Sequence, residues 1–191
     1  MSIKNRETLY FETDKEWRDW LLENHETSAG IYLILYRVYS EIPSMRWEEA
    51  VRVALCFGWI DSTSKRIDEE KRQQLFTPRK SKSAWSKLNK THIEDLKDKG
   101  LMHDSGLKKI EAAKNDGSWQ VLDQVENLKI PEDLLAAFKN NFVAYKNYKN
   151  FSPSYRKSYL YWLNSAKRPE TRNKRIAEII RLCVENIKMR T

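Results

Sequence analysis

The spacing of apolar residues changes near residue 80, from a mixture of strand-like and helix-like runs to helical runs alone. Residues 31–36 are β-branched and aromatic and too few for an independent helix, which is typical of a buried strand. Residues 59–67 and 73–77 look extended and flank a charged connection, so we predict an antiparallel hairpin there. Together with residues 9–11, these runs predict a small antiparallel sheet of three or four strands.

Two helices are predicted among these strands. Thr13 and Glu16 have the spacing of a capping box, in which each side chain bonds a backbone amide at the start of a helix. A second apolar stripe at helical spacing starts at Trp47, and Gly58 is expected to end that helix. The N-terminal part is therefore predicted to mix helices with the sheet.

The remainder of the chain carries only helical patterns. Ser83 is predicted to cap the first of these helices, which ends at Gly100. Pro131, Pro153 and Pro169 each fit the first turn of a later helix. We predict an α+β fold, with a sheet and helices in the N-terminal part and a helical C-terminal subdomain.

We expect one domain over residues 1–191. Its predicted parts are an α+β part at 1–117, a connecting loop at 118–130 and a helical subdomain at 131–191. We find no internal repeat, low-complexity tract or linker rich in proline and glycine.

The formal net charge of +8 comes from two segments. Residues 65–90 hold 9 basic and 3 acidic side chains, and residues 146–191 hold 12 and 3, whereas residues 1–64 and 91–145 are net negative. The surplus indicates an acidic partner. The alternative for either segment is a solvated charged face.

Composition and motifs exclude several classes. Aromatic residues make up 12% of the chain, which argues against disorder, and two cysteines are too few for a disulfide scaffold. No apolar run reaches the ~20 residues of a membrane span. The polar N-terminus lacks a secretory signal, and Cys56 and Cys183 are expected to be buried free thiols, so we expect a cytoplasmic protein.

Motifs of the common cofactor and catalytic sites are missing as well. The chain has no phosphate loop, no Gly-x-Gly dinucleotide fingerprint, no Cys-x-x-Cys pair and no Gly-x-Ser-x-Gly elbow. His25, His92 and His103 are not spaced as metal ligands. We therefore predict no cofactor, no metal site and no catalytic residues.

One polar and aromatic constellation remains around the predicted hairpin and the helix after it. The hairpin would bring Arg79 to a helix N-terminus, where amides, a guanidinium and serine hydroxyls favour a carboxylate or phosphate. Trp59 and Trp85 would supply a flat apolar wall. The alternative is that the tryptophans belong to the core and that Asp61 pairs with Arg66 or Arg79. The candidate ligand-binding residues are Trp59, Asp61, Ser62, Lys65, Arg66, Thr77, Arg79, Ser83, Trp85, Ser86 and Asn89.

Six motifs, spread over nearly the whole chain in one order, carry a family resemblance. They are Cys56-Phe57-Gly58-Trp59-Ile60-Asp61, Phe76-Thr77-Pro78-Arg79, Ser83-x-Trp85-Ser86-x-x-Asn89, Gly100-Leu101-Met102, Ala112-Ala113-Lys114-x-x-Gly117-x-Trp119 and Ala166-Lys167-Arg168-Pro169-Glu170-Thr171-Arg172. With them the chain resembles the bacterial YdeI/OmpD-associated family. It departs from the family at Arg46, where Thr or Ser is common, and at Ser62, where Gly is frequent.

The resemblance implies a bacterial, cytoplasmic protein connected with bacteriocin protection and with a porin, and it supplies no reaction or catalytic set. We expect a non-catalytic stress or bacteriocin-resistance protein that binds a small acidic ligand. The alternative is a nucleic-acid-binding protein that uses the basic C-terminal helices and their aromatic residues. Two further hypotheses are an enzyme with Asp61 as base and Lys65 or Arg79 holding the substrate, and a module that binds a protein partner.

Overall fold

The computed structural model describes residues 6–189. It divides into two units, Met1–Trp119 and Gln120–Thr191. The boundary falls inside the segment 118–130, for which we predicted a connecting loop, and that segment contains a short helix, α5 (Asp123–Glu126). The α+β class is confirmed, whereas the organisation of the chain as one functional domain stays a prediction.

The first unit contains a four-stranded sheet in the order β1-β2-β4-β3. The predicted hairpin is present, with Trp59 opposite Pro78, and β4 also pairs antiparallel with β2. The outer strand β1, however, runs parallel to β2, so the sheet is mixed and our expectation of a purely antiparallel sheet is wrong for this strand. A helix connects these two strands in the chain. It brings the chain back to the end of the sheet at which β1 starts, so β2 can run in the same direction as β1. The strands are β1 (Thr8–Tyr10), β2 (Ile31–Tyr36), β3 (Trp59–Arg66) and β4 (Lys71–Pro78).

Among the described residues, the first unit has four helices besides the sheet: α1 (Asp14–Asn24), α2 (Trp47–Cys56), α3 (Lys87–Asp98) and α4 (Asp104–Asn115). The capping box at α1 is confirmed, because the Thr13 hydroxyl accepts from the Glu16 amide at 3.2 Å and the Glu16 carboxylate accepts from the Thr13 amide. The predicted cap of α3 is wrong by one turn. Ser86 caps this helix by accepting from the Asn89 amide, while the Ser83 hydroxyl donates to the carbonyl of Lys80 at 2.9 Å.

Aromatic side chains dominate the core of the first unit. Trp17 is fully buried, donates its indole N–H to the carbonyl of Ala50 at 3.1 Å, and packs edge-on against Phe76 and Trp59. Cys56 lies in the same core as a free thiol. Truncating one buried aromatic side chain of this kind costs about 3–5 kcal/mol, so this core fixes the start of β3 and the end of β4 firmly.

The second unit consists of helices: α5, then α6 (Glu132–Lys139), α7 (Phe142–Asn150), α8 (Pro153–Asn164) and α9 (Pro169–Val184). Pro153 and Pro169 occupy first helical positions, as predicted, where the missing N–H costs nothing. Its own core includes Phe138, Tyr148 and Cys183, so both free cysteines are buried as expected. Between residues 6 and 189, no helix is both long and apolar enough to span a bilayer.

Candidate functional site

Arg79 is the centre of the candidate site. It follows β4 directly, and its backbone N–H donates to the carbonyl of Gly58 at 3.0 Å, which continues the pairing of the hairpin by one residue. Its side chain is turned into the protein and only 2% exposed. The guanidinium carbon lies 3.5 Å from the ring centroid of Trp85, a close stacking contact.

The Arg79 guanidinium is incompletely paired. Its Nη1 donates to the carbonyl of Ala84 at 3.2 Å, but Nε and Nη2 find no acceptor among the described residues. Burial lowers the pKa of Arg79 to about 10, and the negative charge of Asp61 opposes this shift only in part. The side chain therefore remains charged at neutral pH with two of its three nitrogens unsatisfied, a situation that is rare in protein interiors.

A cavity of about 80 Å³ lies beside this arginine, and its wall includes Trp85 and the loop that follows Arg79. Three further cationic side chains line it, on Lys80, Lys82 and Lys109, against one carboxylate, on Asp116. That carboxylate accepts from the backbone amides of Lys82 and Ser118, and the proximity of Ser118 is the main cause of its lowered pKa. Positive charge is thus in excess around the cavity.

The structure separates the two predicted tryptophans. Trp85 and Arg79 share the cavity, and Trp85 also contacts the ring of Trp119 at 5.1 Å. Trp59 is 1% exposed, donates its indole N–H to the carbonyl of His25, and belongs to the wall of a different cleft. The flat wall that we predicted from Trp59 and Trp85 together is therefore not formed at the Arg79 cavity.

The predicted polar residues of the hairpin lie along the two strands. Asp61 accepts from the indole of Trp47 at 3.0 Å and from the amide of Gln74 at 3.2 Å, and it acts on Arg79 through its charge. Arg66 forms an ion pair with Glu69 in the turn of the hairpin, not with Asp61. Ser62 and Lys65 are exposed on β3, and Thr77 is half-buried on β4. None of these five predicted residues lines the Arg79 cavity.

Ser83 is the only other predicted residue in the wall of the Arg79 cavity, whereas Ser86 and Asn89 form the cap of α3. Sequence reasoning missed Lys109, Asp116 and Ser118, which reach the cavity from α4 and the turn after it. These positions are about 30–40 residues from Arg79 in the chain, and no local pattern connects them. The only signal near them was the motif ending in Gly117-x-Trp119.

The basic C-terminal helices present fewer free groups than their sequence suggests. Tyr148 and Tyr159 are buried in the core of the second unit, whereas Tyr161 is 57% exposed. Three of the basic side chains form ion pairs among the described residues of this unit: Arg172 pairs with Asp133, Lys157 with Glu126, and Arg181 with Glu178 and Glu185. Nucleic-acid binding by this surface stays a prediction.

Acidic, histidine and cysteine side chains are the groups that could hold a metal ion. Across residues 6–189, no three of them come together in a way that could hold a metal ion.

Comparison with family models divides the chain close to the boundary between the two units. Residues 9–109 match a domain of unknown function, DUF8412. The chain belongs to this family. Residues 127–186 match the family described as bacteriocin-protection, YdeI or OmpD-associated, which confirms the resemblance over those residues. The comparisons with curated proteins and with solved structures found no match.

The motifs that carried the resemblance fall on both sides of this division. Only Ala166–Arg172 lies inside the stretch that matches the YdeI/OmpD-associated model. The motifs between residues 56 and 102, including Arg79 and Trp85, lie inside the DUF8412 match. The candidate site therefore belongs mainly to the domain of unknown function.

Proposed function

We propose that this protein is a non-catalytic binder of a small acidic ligand with a role in bacteriocin protection, and that the anionic group of the ligand binds beside Arg79 and Trp85. The buried Arg79 guanidinium carries the proposal, because its Nε and Nη2 lack an acceptor among the residues that the structure describes. A carboxylate or phosphate is the natural partner for two guanidinium N–H groups, since it accepts both in a planar fork.

The surroundings of Arg79 support an anion rather than a neutral molecule. The side chains of Lys80, Lys82 and Lys109 add positive charge, and the one carboxylate of the cavity is already bonded to two backbone amides. The cavity volume of about 80 Å³ exceeds the ~30 Å³ that one water molecule occupies in the liquid, so it has room for a small anionic group. The indole face of Trp85 closes the guanidinium off from solvent on one side.

A purely structural role for Arg79 is the competing explanation. Its contacts with Trp85 and with the Ala84 carbonyl would then hold the loop after β4, and water would occupy the cavity. The two explanations differ in one measurable respect. A structural arginine gives no saturable response to anions, whereas a binding arginine does.

Direct titration tests the proposal. Inorganic phosphate and acetate are added to the protein at constant ionic strength, and tryptophan fluorescence and calorimetric heat are recorded. We expect saturable binding that Arg79→Met abolishes, because methionine keeps much of the volume but carries no N–H group. Lys65→Met removes the same charge from an exposed position on β3 and serves as the matched control. Equal responses of the wild type and Arg79→Met would overturn the proposal.

We further propose that the protein acts in the bacterial cytoplasm. Two buried free thiols fit a reducing compartment. Fractionation of a native host, with immunoblotting of cytoplasmic and periplasmic extracts, tests this proposal, and recovery in the periplasm alone would refute it.

A further inference from the structure

A second cleft, of about 320 Å³, opens in the first unit where the end of α1 meets the start of β3 and the first turns of α4. Its apolar walls are Phe57, Trp59 and Pro78, and Lys108 and Lys109 lie at its edge. An apolar cavity of ~150 Å³ is large enough to hold a benzene ring, so this cleft has room for a ring with substituents. Only Lys109 is shared with the Arg79 cavity.

His25 is the chemically unusual residue of this cleft. Its Nδ1 lies 2.7 Å from the carbonyl oxygen of Leu21, and because a carbonyl only accepts, that nitrogen must carry the hydrogen and donate. In the neutral ring, Nε2 is therefore left as a bare acceptor. Nε2 is buried, the side chain is 9% exposed, and no hydrogen-bond partner of Nε2 exists among the described residues.

The residues around His25 hold its ring but do not satisfy it. The rings of His103 and Phe57 lie 4.8 Å and 5.2 Å away, centroid to centroid. The Glu26 carboxylate is 3.8 Å from Nε2, which is beyond hydrogen-bond distance, and an ionised carboxylate has no proton to donate to a neutral imidazole. A partner that carries an O–H or N–H group is what this acceptor lacks.

Gly58 lets a cation reach the cleft. Its φ of +72° is unfavourable for a side chain, and a Cβ built there would lie 2.6 Å from Cγ of Lys109. The aliphatic stem of Lys109 therefore runs directly over the glycine, while Lys108 is exposed beside it. The cleft thus combines an apolar wall, one buried acceptor and two ammonium groups.

We propose that this cleft binds a small planar aromatic acid that carries a hydroxyl or N–H donor. The donor bonds to Nε2 of His25, the ring packs against Phe57, Trp59 and Pro78, and the acidic group is held by Lys108 and Lys109. This site shares only Lys109 with the one proposed beside Arg79, and neither proposal depends on the other.

The test uses 4-hydroxybenzoate and two comparison probes. Benzoate lacks the hydroxyl donor, and 4-hydroxybenzamide lacks the negative charge. NMR titration of the histidine ring protons and calorimetry report binding. We expect 4-hydroxybenzoate to bind, each comparison probe to bind about tenfold more weakly, and His25→Phe to remove the preference for the hydroxyl. Arg79→Met should leave this binding unchanged, which separates the result from the fate of the anion proposal.

A substitution at an exposed position, Lys108→Glu, keeps the test decisive if the His25→Phe protein does not fold. We expect it to weaken the binding of 4-hydroxybenzoate but not of 4-hydroxybenzamide, whereas Lys65→Glu, near the other end of β3 from the cleft, should change neither. The inference is overturned if 4-hydroxybenzoate does not bind at millimolar concentrations. It is equally overturned if benzoate binds as well as 4-hydroxybenzoate, because His25 would then play no part.

Discussion

Replacing Arg79 with methionine should change the stability of the anion-free protein by no more than about 1 kcal/mol. Burial lowers the pKa of Arg79 to about 10, well below its ordinary value, so keeping the charge buried at neutral pH costs about 3 kcal/mol. Methionine removes this cost. It also removes the hydrogen bond to the Ala84 carbonyl, at about 1 kcal/mol, and the stacking on Trp85, at about 2 kcal/mol. The gains and losses nearly cancel.

Anion binding should then make the wild type more stable than Arg79→Met. A ligand present at about 50 times its dissociation constant stabilises the folded state by roughly 2.3 kcal/mol. For a chain of this size, that corresponds to a rise in Tm of about 5–9 °C. We expect phosphate to produce this rise in the wild type and in Lys65→Met, and to leave Arg79→Met unchanged.

The assay is thermal unfolding followed by circular dichroism, in phosphate and in chloride at matched ionic strength. The matching is needed because screening alone changes the stability of a chain with net charge +8. Two results would refute the reasoning. One is a loss of 3 kcal/mol or more in Arg79→Met without anions, which would mean that the buried charge is already compensated. The other is the same phosphate-induced rise in Arg79→Met as in the wild type.

Three further predictions concern stability. Tyr148→Phe should leave the stability of the second unit unchanged or raise it by up to about 1 kcal/mol in chemical denaturation, because this buried hydroxyl has no partner among the described residues; a loss above that would contradict it. Ser86→Ala should cost about 1 kcal/mol through the lost cap of α3, with exposed Ser62→Ala as the neutral control. Arg172 lowers the pKa of Asp133, so the stabilisation from this pair should be complete above about pH 4 and lost as the pH falls below it. Asp133→Asn should therefore flatten this part of the plot of unfolding free energy against pH. An unaltered plot would argue against the pair.

The features that follow from neighbouring residues were predictable from the sequence. The capping box at Thr13 depends on two residues one turn apart, and the hairpin depends on two extended runs with a short connection. The pairing of strands that are far apart in the chain was harder to predict. The parallel pairing of β1 with β2 was missed because the sequence of a three-residue strand does not show in which direction it runs relative to its neighbour.

The candidate site shows the same limit. Arg79 and Trp85 are six residues apart, and their contact could be anticipated from the hairpin that precedes them. The burial of Arg79 could not be anticipated, because this burial depends on residues of α4 and the following turn that close the cavity. Trp59 lies next to Arg79 in the hairpin register, but adjacent positions on a strand point to opposite faces, so register alone does not place both side chains in one cavity.

The turn between α2 and β3 explains why chemistry concentrates in this part of the first unit. The carbonyl of Gly58 accepts from the amide of Arg79, and the carbonyl of Cys56 accepts from the amide of His103. Gly106 packs so closely on Cys56 that a Cβ there would lie 2.1 Å from its carbonyl oxygen, which binds α4 tightly to the turn. This turn therefore positions both the Arg79 cavity and the cleft that contains His25. The two sites share this backbone and the side chain of Lys109, but their other side chains differ, so each can be altered by substituting an unshared side chain while the other is kept.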